Sequence, residues 1–397
     1  MARQNGFLVL NQFFSGAACR HPCRGICNSV KYAGTQGPCP CLNRRPHVCP
    51  SFFSIASLYS RRAAERPPLH KTQRKRKSLS PSPEVQKAVR EFDAGQYRLY
   101  PDPDSNALRN AIAGMLGPGI TPDMVFAGNG SDEVLSFIFF TLFDSDAPLH
   151  FPEYTYSFYP VYCGYYDIPF RKIPLASDFS LDCGALLEGD SSGLIFANPN
   201  APTGIFLELP ELERLLDRYP SGRPVVVDEA YIDFGGETAL PLLEKYKNLV
   251  IVRTFSKSFC FAGARLGYAV ADPGIIRALF TAKDSFNHFP VDRLTQEIGV
   301  AACGDPGYYK KINTEIIQTR GLFSAELEKL GWTVLPSRAN FVFVRHPSLN
   351  GREVYEYIKK QGVLVRYFDS PGIAGFVRIS IGTPDDMRQL LDIMKNL

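Results

Sequence analysis

The sequence predicts an α/β protein with two structured domains, on the evidence of three patterns. Short apolar runs alternate with segments of helical periodicity between about Val125 and Ala271, which is typical of a large, mostly parallel sheet sandwiched by helices. Polar residues follow several of these runs directly, as expected at the carboxyl ends of strands, where such folds bind ligands. From Asp292 onward, helices and separate strands predict a smaller α+β domain.

The predicted organisation has four parts. Residues 1–79 form an extension, residues 80–105 an N-terminal segment with a proline-punctuated loop, residues 106–290 the large domain and residues 291–397 the small domain. A chain of 397 residues is long enough for two domains with a sizeable core.

The composition argues against several classes of function. A net charge of +4 gives no indication of a nucleic-acid partner, and no apolar run is long enough to span a bilayer. Six of the ten cysteines lie between residues 19 and 49, and the other four are scattered, which is typical of a reducing compartment. We therefore predict a cytoplasmic protein without a membrane or nucleic-acid partner.

The N-terminal extension has several interpretations. Residues 1–64 contain no Asp or Glu and show no sustained periodicity. An acid-poor start that contains Arg and Ser is typical of an organellar transit peptide. Its cysteines and histidines could bind zinc, although their spacing fits no paired-cysteine pattern well, and the basic run Arg74–Lys77 could be a nuclear signal or an anion patch. We favour a disordered, non-native extension.

The strongest functional pattern runs from Val250 to Gly267. It begins as a buried strand and breaks into a polar loop that contains Lys257. Because burial and nearby cations disfavour the ammonium form, such a lysine can lose its proton near neutral pH and form a Schiff base with an aldehyde. Ser256 and Arg265 suit a phosphate group. An aldehyde and a phosphate on one molecule suggest pyridoxal phosphate (PLP); a solvated lysine is the alternative for Lys257 alone.

Two further segments fit the same cofactor. The valines 225–227 predict a buried strand that ends at Asp228, where a carboxylate needs a cation such as the protonated pyridine nitrogen of PLP. A helix cap is the alternative for Asp228 alone. The segment Gly128–Glu133 opens a helix, with its N-cap predicted at Ser131, and the free N–H groups of such a helix end attract phosphate.

The motif Ser256-Lys257, with the run Ala262–Gly267, resembles the fold-type-I PLP aminotransferases, and among them the histidinol-phosphate aminotransferase branch. The resemblance extends from about Ser80 to the C-terminus, with its motifs in family order. It implies the fold-type-I architecture, PLP as cofactor and a homodimer. It also implies a reaction of histidine biosynthesis, in which histidinol phosphate and 2-oxoglutarate give imidazole acetol phosphate and glutamate.

The resemblance also implies roles for individual residues. Lys257 holds PLP and then acts as the general base, Asp228 binds the pyridine nitrogen, Tyr231 bonds the phenolic oxygen and Tyr156 stacks on the ring. The implied cofactor-binding positions are Gly130, Ser131, Asp132, Tyr156, Asn200, Asp228, Tyr231, Ser256, Lys257, Arg265 and, from the neighbouring subunit, Tyr100. The implied substrate-binding positions are Arg378, Arg366 and Asn340. From the residues alone, loop packing for Tyr100 and a salt bridge for Arg378 are the alternatives.

The sequence departs from the family pattern at two places. In the loop Asn198–Gly204, Ala201 replaces the Asn that in the family bonds the phenolic oxygen and the substrate carboxylate, so we expect Asn200 or Asn198 to substitute for it. The segment before Ser80 lacks the family motif Lys-Leu-Asn-x-Asn-Glu-Asn-Pro-Tyr. Because the possible codons of this segment, read one nucleotide later, can encode a similar motif, we hypothesise a shifted reading frame over residues 1–79. Stop codons in that frame would exclude the hypothesis.

Three alternative functions remain open at this stage. Two share the fold, namely aromatic amino-acid transamination and threonine-phosphate decarboxylation, because a few pocket side chains decide the substrate. The third is a relic that binds the cofactor without turnover, since the arm that lines the site is missing and Ala201 has replaced an Asn. A colourless protein in the presence of PLP would favour the relic.

Overall fold

The computed structural model of the protein describes residues 80–143 and 146–397. The transit-peptide, zinc, basic-patch and reading-frame interpretations concern residues 1–79 and lie outside the described residues. Within the described ranges, every helix is too short or too polar to cross a membrane.

A seven-stranded sheet forms the larger layer. Its strands are β1 (Val125–Gly128), β2 (Leu149–Pro152), β3 (Phe170–Ile173), β4 (Gly193–Ala197), β5 (Val225–Asp228), β6 (Leu249–Thr254) and β7 (Gly267–Ala271). Their order is β1-β7-β6-β5-β4-β2-β3. β7 is antiparallel to both of its neighbours and the other adjacent pairs are parallel, which confirms the prediction of a mostly parallel sheet.

The central strands are apolar on both faces, because helices cover the sheet on both sides. Val225 and Val227 of β5 pack in one core cluster, whereas Val226 packs in the other. Ile251 and its neighbour Val252 in β6 alternate in the same way. This double burial explains why the sequence shows continuous β-branched runs rather than an alternation of polar and apolar residues.

Eleven α-helices are assigned in the described ranges. They are α1 (Pro83–Glu91), α2 (Asn106–Leu116), α3 (Ser131–Leu142), α4 (Tyr159–Tyr166), α5 (Cys183–Leu186), α6 (Leu209–Arg218), α7 (Pro273–Phe286), α8 (Arg293–Cys303), α9 (Pro306–Lys329), α10 (Gly351–Lys360) and α11 (Pro384–Met394). Side-chain caps fix several helix starts; α10 and α11 each begin with a reciprocal capping box, at Asn350 and Thr383.

A second sheet of four antiparallel strands forms the smaller α+β unit. Its strands are β8 (Thr333–Val334), β9 (Phe341–Arg345), β10 (Arg366–Tyr367) and β11 (Phe376–Ser380), in the order β10-β11-β9-β8. The sequence did not predict β8, and β10 is shorter than the strand predicted over residues 363–367. The boundary after residue 290 stays a prediction. Ile298 and Ala302 of α8 lie in the core cluster of the large sheet.

Candidate active site

The carboxyl ends of β5 and β6 bring the two central candidates to one place. These strands are parallel neighbours, with Asp228 opposite Val252, and Lys257 follows three residues after β6 ends at Thr254. Both side chains line a cavity of about 140 Å³. The other lining residues are Ser131, Asp132, Tyr156, Ala197, Ala201, Ala230, Tyr231, Thr254, Ser256, Ala262 and Arg265. Most of the predicted cofactor-binding residues therefore share one cavity.

Asp228 is a buried carboxylate with neutral hydrogen-bond partners. Its side chain accepts hydrogen bonds from the Tyr159 hydroxyl at 3.0 Å and from the N–H of Ala230 at 3.1 Å. Burial raises the pKa of Asp228 to about 6, although these two bonds and the charge of Lys257 act in the opposite direction. A cationic ring nitrogen in the cavity would relieve this desolvation penalty.

Lys257 and Tyr231 face each other across the cavity. The Nζ atom of Lys257 lies 5.6 Å from the centre of the Tyr231 ring. The Tyr231 ring packs edge-on against Phe341 of β9, with ring centres 5.1 Å apart. The small sheet therefore supports one wall of the cavity, and an amine and a phenol hydroxyl are available for proton transfer and hydrogen bonding there.

The predicted phosphate cradle lies where α3 begins beside Arg265. Nη2 of Arg265 donates to Oδ2 of Asp132 at 3.1 Å, and its Nη1 lies 3.5 Å from Oγ of Ser256. The N-cap of α3 is Gly130, at a φ of +85°, and Ser131 is the first helical residue. The prediction of an N-cap at Ser131 was therefore wrong by one residue, because the left-handed backbone conformation at the cap favours glycine.

Two glycines allow the chain segments of this cradle to approach each other. A Cβ atom at Gly130 would lie 2.6 Å from Nη2 of Arg265, and a Cβ at Gly267 would lie 2.3 Å from the backbone nitrogen of Ser131. Any larger residue at either position would displace the helix start or the arginine. The helix N–H groups and the guanidinium can thus face one bound anion.

Tyr156 lies on the side of the cavity formed by α3 and α4. Its hydroxyl donates to Oδ1 of Asp132 at 2.6 Å, and its ring packs edge-on against Tyr159 at 5.6 Å. Burial, followed by the carboxylate of Asp132, raises the pKa of Tyr156 far above the usual tyrosine value. The residue is therefore a neutral, fixed aromatic surface, consistent with the predicted stacking role.

The structure does not bring Asn200 to this cavity. Its Nδ2 donates to the backbone oxygen of Tyr154 at 2.9 Å and to Oγ1 of Thr203 at 3.1 Å. Asn198 exchanges two hydrogen bonds with the backbone of Leu207. Neither amide is among the groups that line the cavity, whereas Ala201 is. The buried Oδ1 of Asn200 has no hydrogen-bond partner among the described residues, and the substitution expected of Asn200 or Asn198 stays a prediction.

The predicted substrate-binding residues are not among those that line the cavity. Arg378 of β11 and Arg366 of β10 are directly opposite each other in the antiparallel pair. The Arg378 guanidinium lies 4.9 Å from the ring centre of Phe341, and its buried Nε has no acceptor among the described residues. The backbone oxygen of Asn340 accepts a hydrogen bond from Ile381.

Tyr100, the predicted contributor to a neighbouring site, is 78% exposed. Its ring stacks on Phe289 with centres 4.6 Å apart, and its backbone oxygen accepts a hydrogen bond from Arg293 at 2.8 Å. Tyr100 is therefore held through its backbone and one ring face, while most of its side chain is exposed.

Tyr159 is a residue at the site that the sequence analysis did not single out. It is fully buried, and its hydroxyl contacts Asp228, 69 residues away in sequence. The length of the segment between Tyr159 and β5 hides the contact from any local pattern.

The donor set of the cavity fits PLP. Lys257 offers an amine, Asp228 a buried carboxylate without a cationic hydrogen-bond partner among the described residues, and Arg265 a cation at a helix start. The amine of Lys257 matches the aldehyde of the cofactor, the carboxylate of Asp228 its ring nitrogen, and the guanidinium of Arg265 its phosphate. The cavity therefore has a partner for each polar end of the molecule.

Comparison with known proteins gives the family. The model of the family "Aminotransferase class I and II" matches residues 72–394. The chain belongs to this family. It is 54% identical over 321 residues to a histidinol-phosphate aminotransferase of Syntrophus aciditrophicus, across 80% of this chain and 88% of the relative. It is 45% identical to a histidinol-phosphate aminotransferase of Lactococcus lactis, across 79% of this chain and 87% of the relative.

Solved structures agree on the fold. A histidinol-phosphate aminotransferase from Sinorhizobium meliloti, in complex with pyridoxal-5'-phosphate, matches with a TM-score of 0.73 at 24% identity, over 89% of this chain and 99% of that chain. The predictions of the family, the fold-type-I class and a PLP-dependent aminotransferase are confirmed. The roles of single residues stay predictions.

Proposed function

We propose that this chain transfers the amino group of histidinol phosphate to 2-oxoglutarate, with PLP as cofactor, in histidine biosynthesis. The observation that carries the proposal is the convergence of Lys257, Asp228 and Arg265 on one cavity. Two relatives that are 45% and 54% identical to the chain are named histidinol-phosphate aminotransferase. When bound, PLP supplies an electron sink for the bond that breaks at the substrate carbon.

Three residues of the chain have distinct tasks in this proposal. The amine of Lys257 carries a proton between the substrate carbon and the cofactor. The carboxylate of Asp228 would keep the ring nitrogen of bound PLP protonated, since an ion pair would replace an unpaired buried charge. The Tyr231 hydroxyl would donate a hydrogen bond to the phenolic oxygen, a contact that the family asparagine would otherwise share.

The phosphate of the substrate is proposed to bind the two arginines of the small sheet. Arg366 and Arg378 lie opposite each other on β10 and β11, and both guanidinium groups lie within 6 Å of the Phe368 ring centre, at 5.4 and 5.7 Å. A phosphate bound between them would be attracted by both guanidinium charges. The buried Nε of Arg378 supports the same assignment, because a phosphate oxygen would satisfy it.

A homodimer is part of the proposal. Tyr100 is anchored through its backbone and stacked on Phe289, while most of its side chain is exposed. A tyrosine fixed in this way can reach a phosphate bound in the neighbouring subunit. Sedimentation should therefore give a dimer. Tyr100→Phe should weaken PLP binding but leave the protein dimeric.

The test is a donor screen with the PLP-loaded full chain and 2-oxoglutarate. Histidinol phosphate, threonine phosphate and aromatic amino acids are offered in turn, and glutamate and carbon dioxide are measured. We expect glutamate with histidinol phosphate and none with Lys257→Ala. Preference for an aromatic amino acid, or release of carbon dioxide from threonine phosphate, would replace the proposal with the corresponding alternative function.

The arginine assignment has a matched control. Arg378→Gln should raise the KM for histidinol phosphate by roughly ten- to a hundredfold, because a charge-assisted bond to phosphate is lost. Arg345→Gln removes a guanidinium that packs over Phe376 on the same sheet, and it should leave KM unchanged. With histidinol, which lacks the phosphate, the two variants should behave alike.

A further inference from the structure

A buried ionic network lies next to the loop that carries Lys257. Nε and Nη2 of Arg253, in β6, donate to the same Oε2 atom of Glu229 at 2.9 and 2.8 Å. The side chain of Glu229 is 1% exposed and also accepts hydrogen bonds from Thr238 Oγ1 at 2.8 Å and from the N–H of Ala239 at 2.7 Å. Both oxygens of this buried carboxylate are therefore satisfied.

The network continues to the residue that follows Lys257. Nη1 of Arg253 lies 4.0 Å from Oδ1 of Asp233. The other carboxylate oxygen of Asp233 accepts a hydrogen bond of 2.5 Å from Oγ of Ser258, which is 2% exposed. A continuous path of polar contacts thus runs from Glu229 to Ser258 through one arginine and one aspartate.

Each predicted catalytic residue has a member of this network close by in sequence. The pairs are Glu229 directly after Asp228, Asp233 two residues after Tyr231, and Ser258 directly after Lys257. These pairs lie in two segments of the chain, residues 228–233 at and after the end of β5, and the loop after β6. The network therefore joins the backbone segments of all three predicted catalytic residues.

The energetics favour a positioning role over a purely stabilising one. Burial disfavours the charge of Arg253, but the carboxylates of Glu229 and Asp233 raise its pKa above the usual arginine value. Because buried ion pairs are frequently no more stabilising than packed apolar residues, their stability alone does not explain them. The hydrogen bonds between Arg253 and Glu229 and between Ser258 and Asp233 fix local geometry, and the 4.0 Å ion pair between Arg253 and the 37% exposed Asp233 joins them.

We propose that Ser258 and Asp233 are positioning residues, which hold the Lys257 loop in register with Asp228 through Arg253 and Glu229. The proposal rests on the proposed function, since it assigns these residues to the same site. Neither residue lines the cavity that holds Lys257, so both act through their neighbours.

The experiment compares Ser258→Ala and Asp233→Asn with Ser258→Thr, which keeps the hydroxyl. Ser191→Ala is the control, because it removes another buried serine, 2% exposed, whose hydroxyl bonds Tyr219 at 2.8 Å. Four quantities are measured on the PLP-loaded protein: kcat, KM, the dissociation constant of PLP and the pH midpoint of the visible band of PLP joined to Lys257.

We expect Ser258→Ala to lower kcat about tenfold with little change in KM, and to shift the pH midpoint of the visible band, because the lysine loses its fixed orientation. Ser258→Thr should restore most of both values, and Ser191→Ala should change neither. Asp233→Asn keeps an acceptor for Ser258 but loses the charge beside Arg253, so a midpoint shift is expected there too.

Equal behaviour of Ser258→Ala and Ser191→Ala in kcat and in the pH midpoint would overturn the proposal. If Ser258→Ala does not fold, Asp233→Asn decides, and an unshifted midpoint in that variant would overturn it as well. The spectroscopic readouts need no turnover. A protein that fails the donor screen but shows the midpoint shift would refute the proposed substrate while supporting the positioning role.

Discussion

Removal of the Tyr159 hydroxyl should raise the pKa of Asp228 further. The hydroxyl donates to the buried carboxylate at 3.0 Å, and this bond opposes the effect of burial, which sets the pKa at about 6. A hydrogen bond to a charged group contributes about 1.5–3 kcal/mol, and one pKa unit corresponds to about 1.4 kcal/mol. Tyr159→Phe should therefore move the pKa upward by about one to two units.

The assay is a carboxyl-carbon NMR titration of the cofactor-free protein labelled with ¹³C at its aspartate side chains. Asp228→Asn removes the signal to be followed and so assigns it. Tyr166→Phe, in the same helix, removes a hydroxyl that bonds Ser136 instead, and should leave the midpoint near 6. A midpoint in Tyr159→Phe that stays at 6 or falls would refute the reasoning.

The same pKa determines a pH dependence of stability. Since the folded value of about 6 lies above the usual 3.8, the buried charge destabilises the cofactor-free protein. The difference of about two units corresponds to about 3 kcal/mol at neutral pH, and the penalty disappears as the pH falls from above 6 to below 3.8. Bound PLP should remove this penalty, because its protonated ring nitrogen would pair with the Asp228 carboxylate.

Three further predictions concern Gly267, Asp228 and Asn200. Gly267→Ala should weaken PLP binding at least about tenfold in a fluorescence titration, because its Cβ would lie 2.3 Å from the Ser131 nitrogen, whereas Gly263→Ala has open space and should bind normally. Asp228→Asn should raise the thermal midpoint of the cofactor-free protein at pH 8 but not at pH 4; equal shifts would contradict the linkage above. Asn200→Ala should lower the thermal midpoint and leave PLP affinity unchanged, and a loss of affinity would show that the amide reaches the cofactor.

The sequence was sufficient to predict the parts of the site that follow directly from strands. β5 and β6 are buried on both faces, so their β-branched runs are distinctive, and polar residues at their ends are easily recognised. The positions of Asp228 and Lys257 on one cavity follow from parallel pairing alone. The N-cap of α3 was misplaced by one residue, because serine is a common cap residue and the positive φ of Gly130 cannot be read from the sequence.

Contacts between distant segments were beyond the sequence analysis. Tyr159 lies in a stretch of sequence rich in aromatic residues, and its partner Asp228 is 69 residues away. The orientation of Asn200 depends on the backbone oxygen of Tyr154, 46 residues earlier. Arg253 occupies an otherwise apolar strand, and nothing in its local sequence indicates its carboxylate partners. In each case the tertiary structure, rather than a local preference, decides which acceptor is within reach.

The alanine at position 201 changes the character of one wall of the cavity. Ala201 packs in a small buried cluster with Ala339 and Phe341, against which the Tyr231 ring also lies. Phe341 in turn lies beneath the guanidinium of Arg378. An asparagine amide here would need its own partners, because an unsatisfied buried amide costs about 1–3 kcal/mol. The alanine avoids that cost, and the apolar wall it forms holds the tyrosine that would donate to the phenolic oxygen and the arginine that would bind the substrate. The loss of one family contact thus coincides with close packing around Tyr231 and Arg378, the side chains proposed to contact the phenolic oxygen and the substrate phosphate.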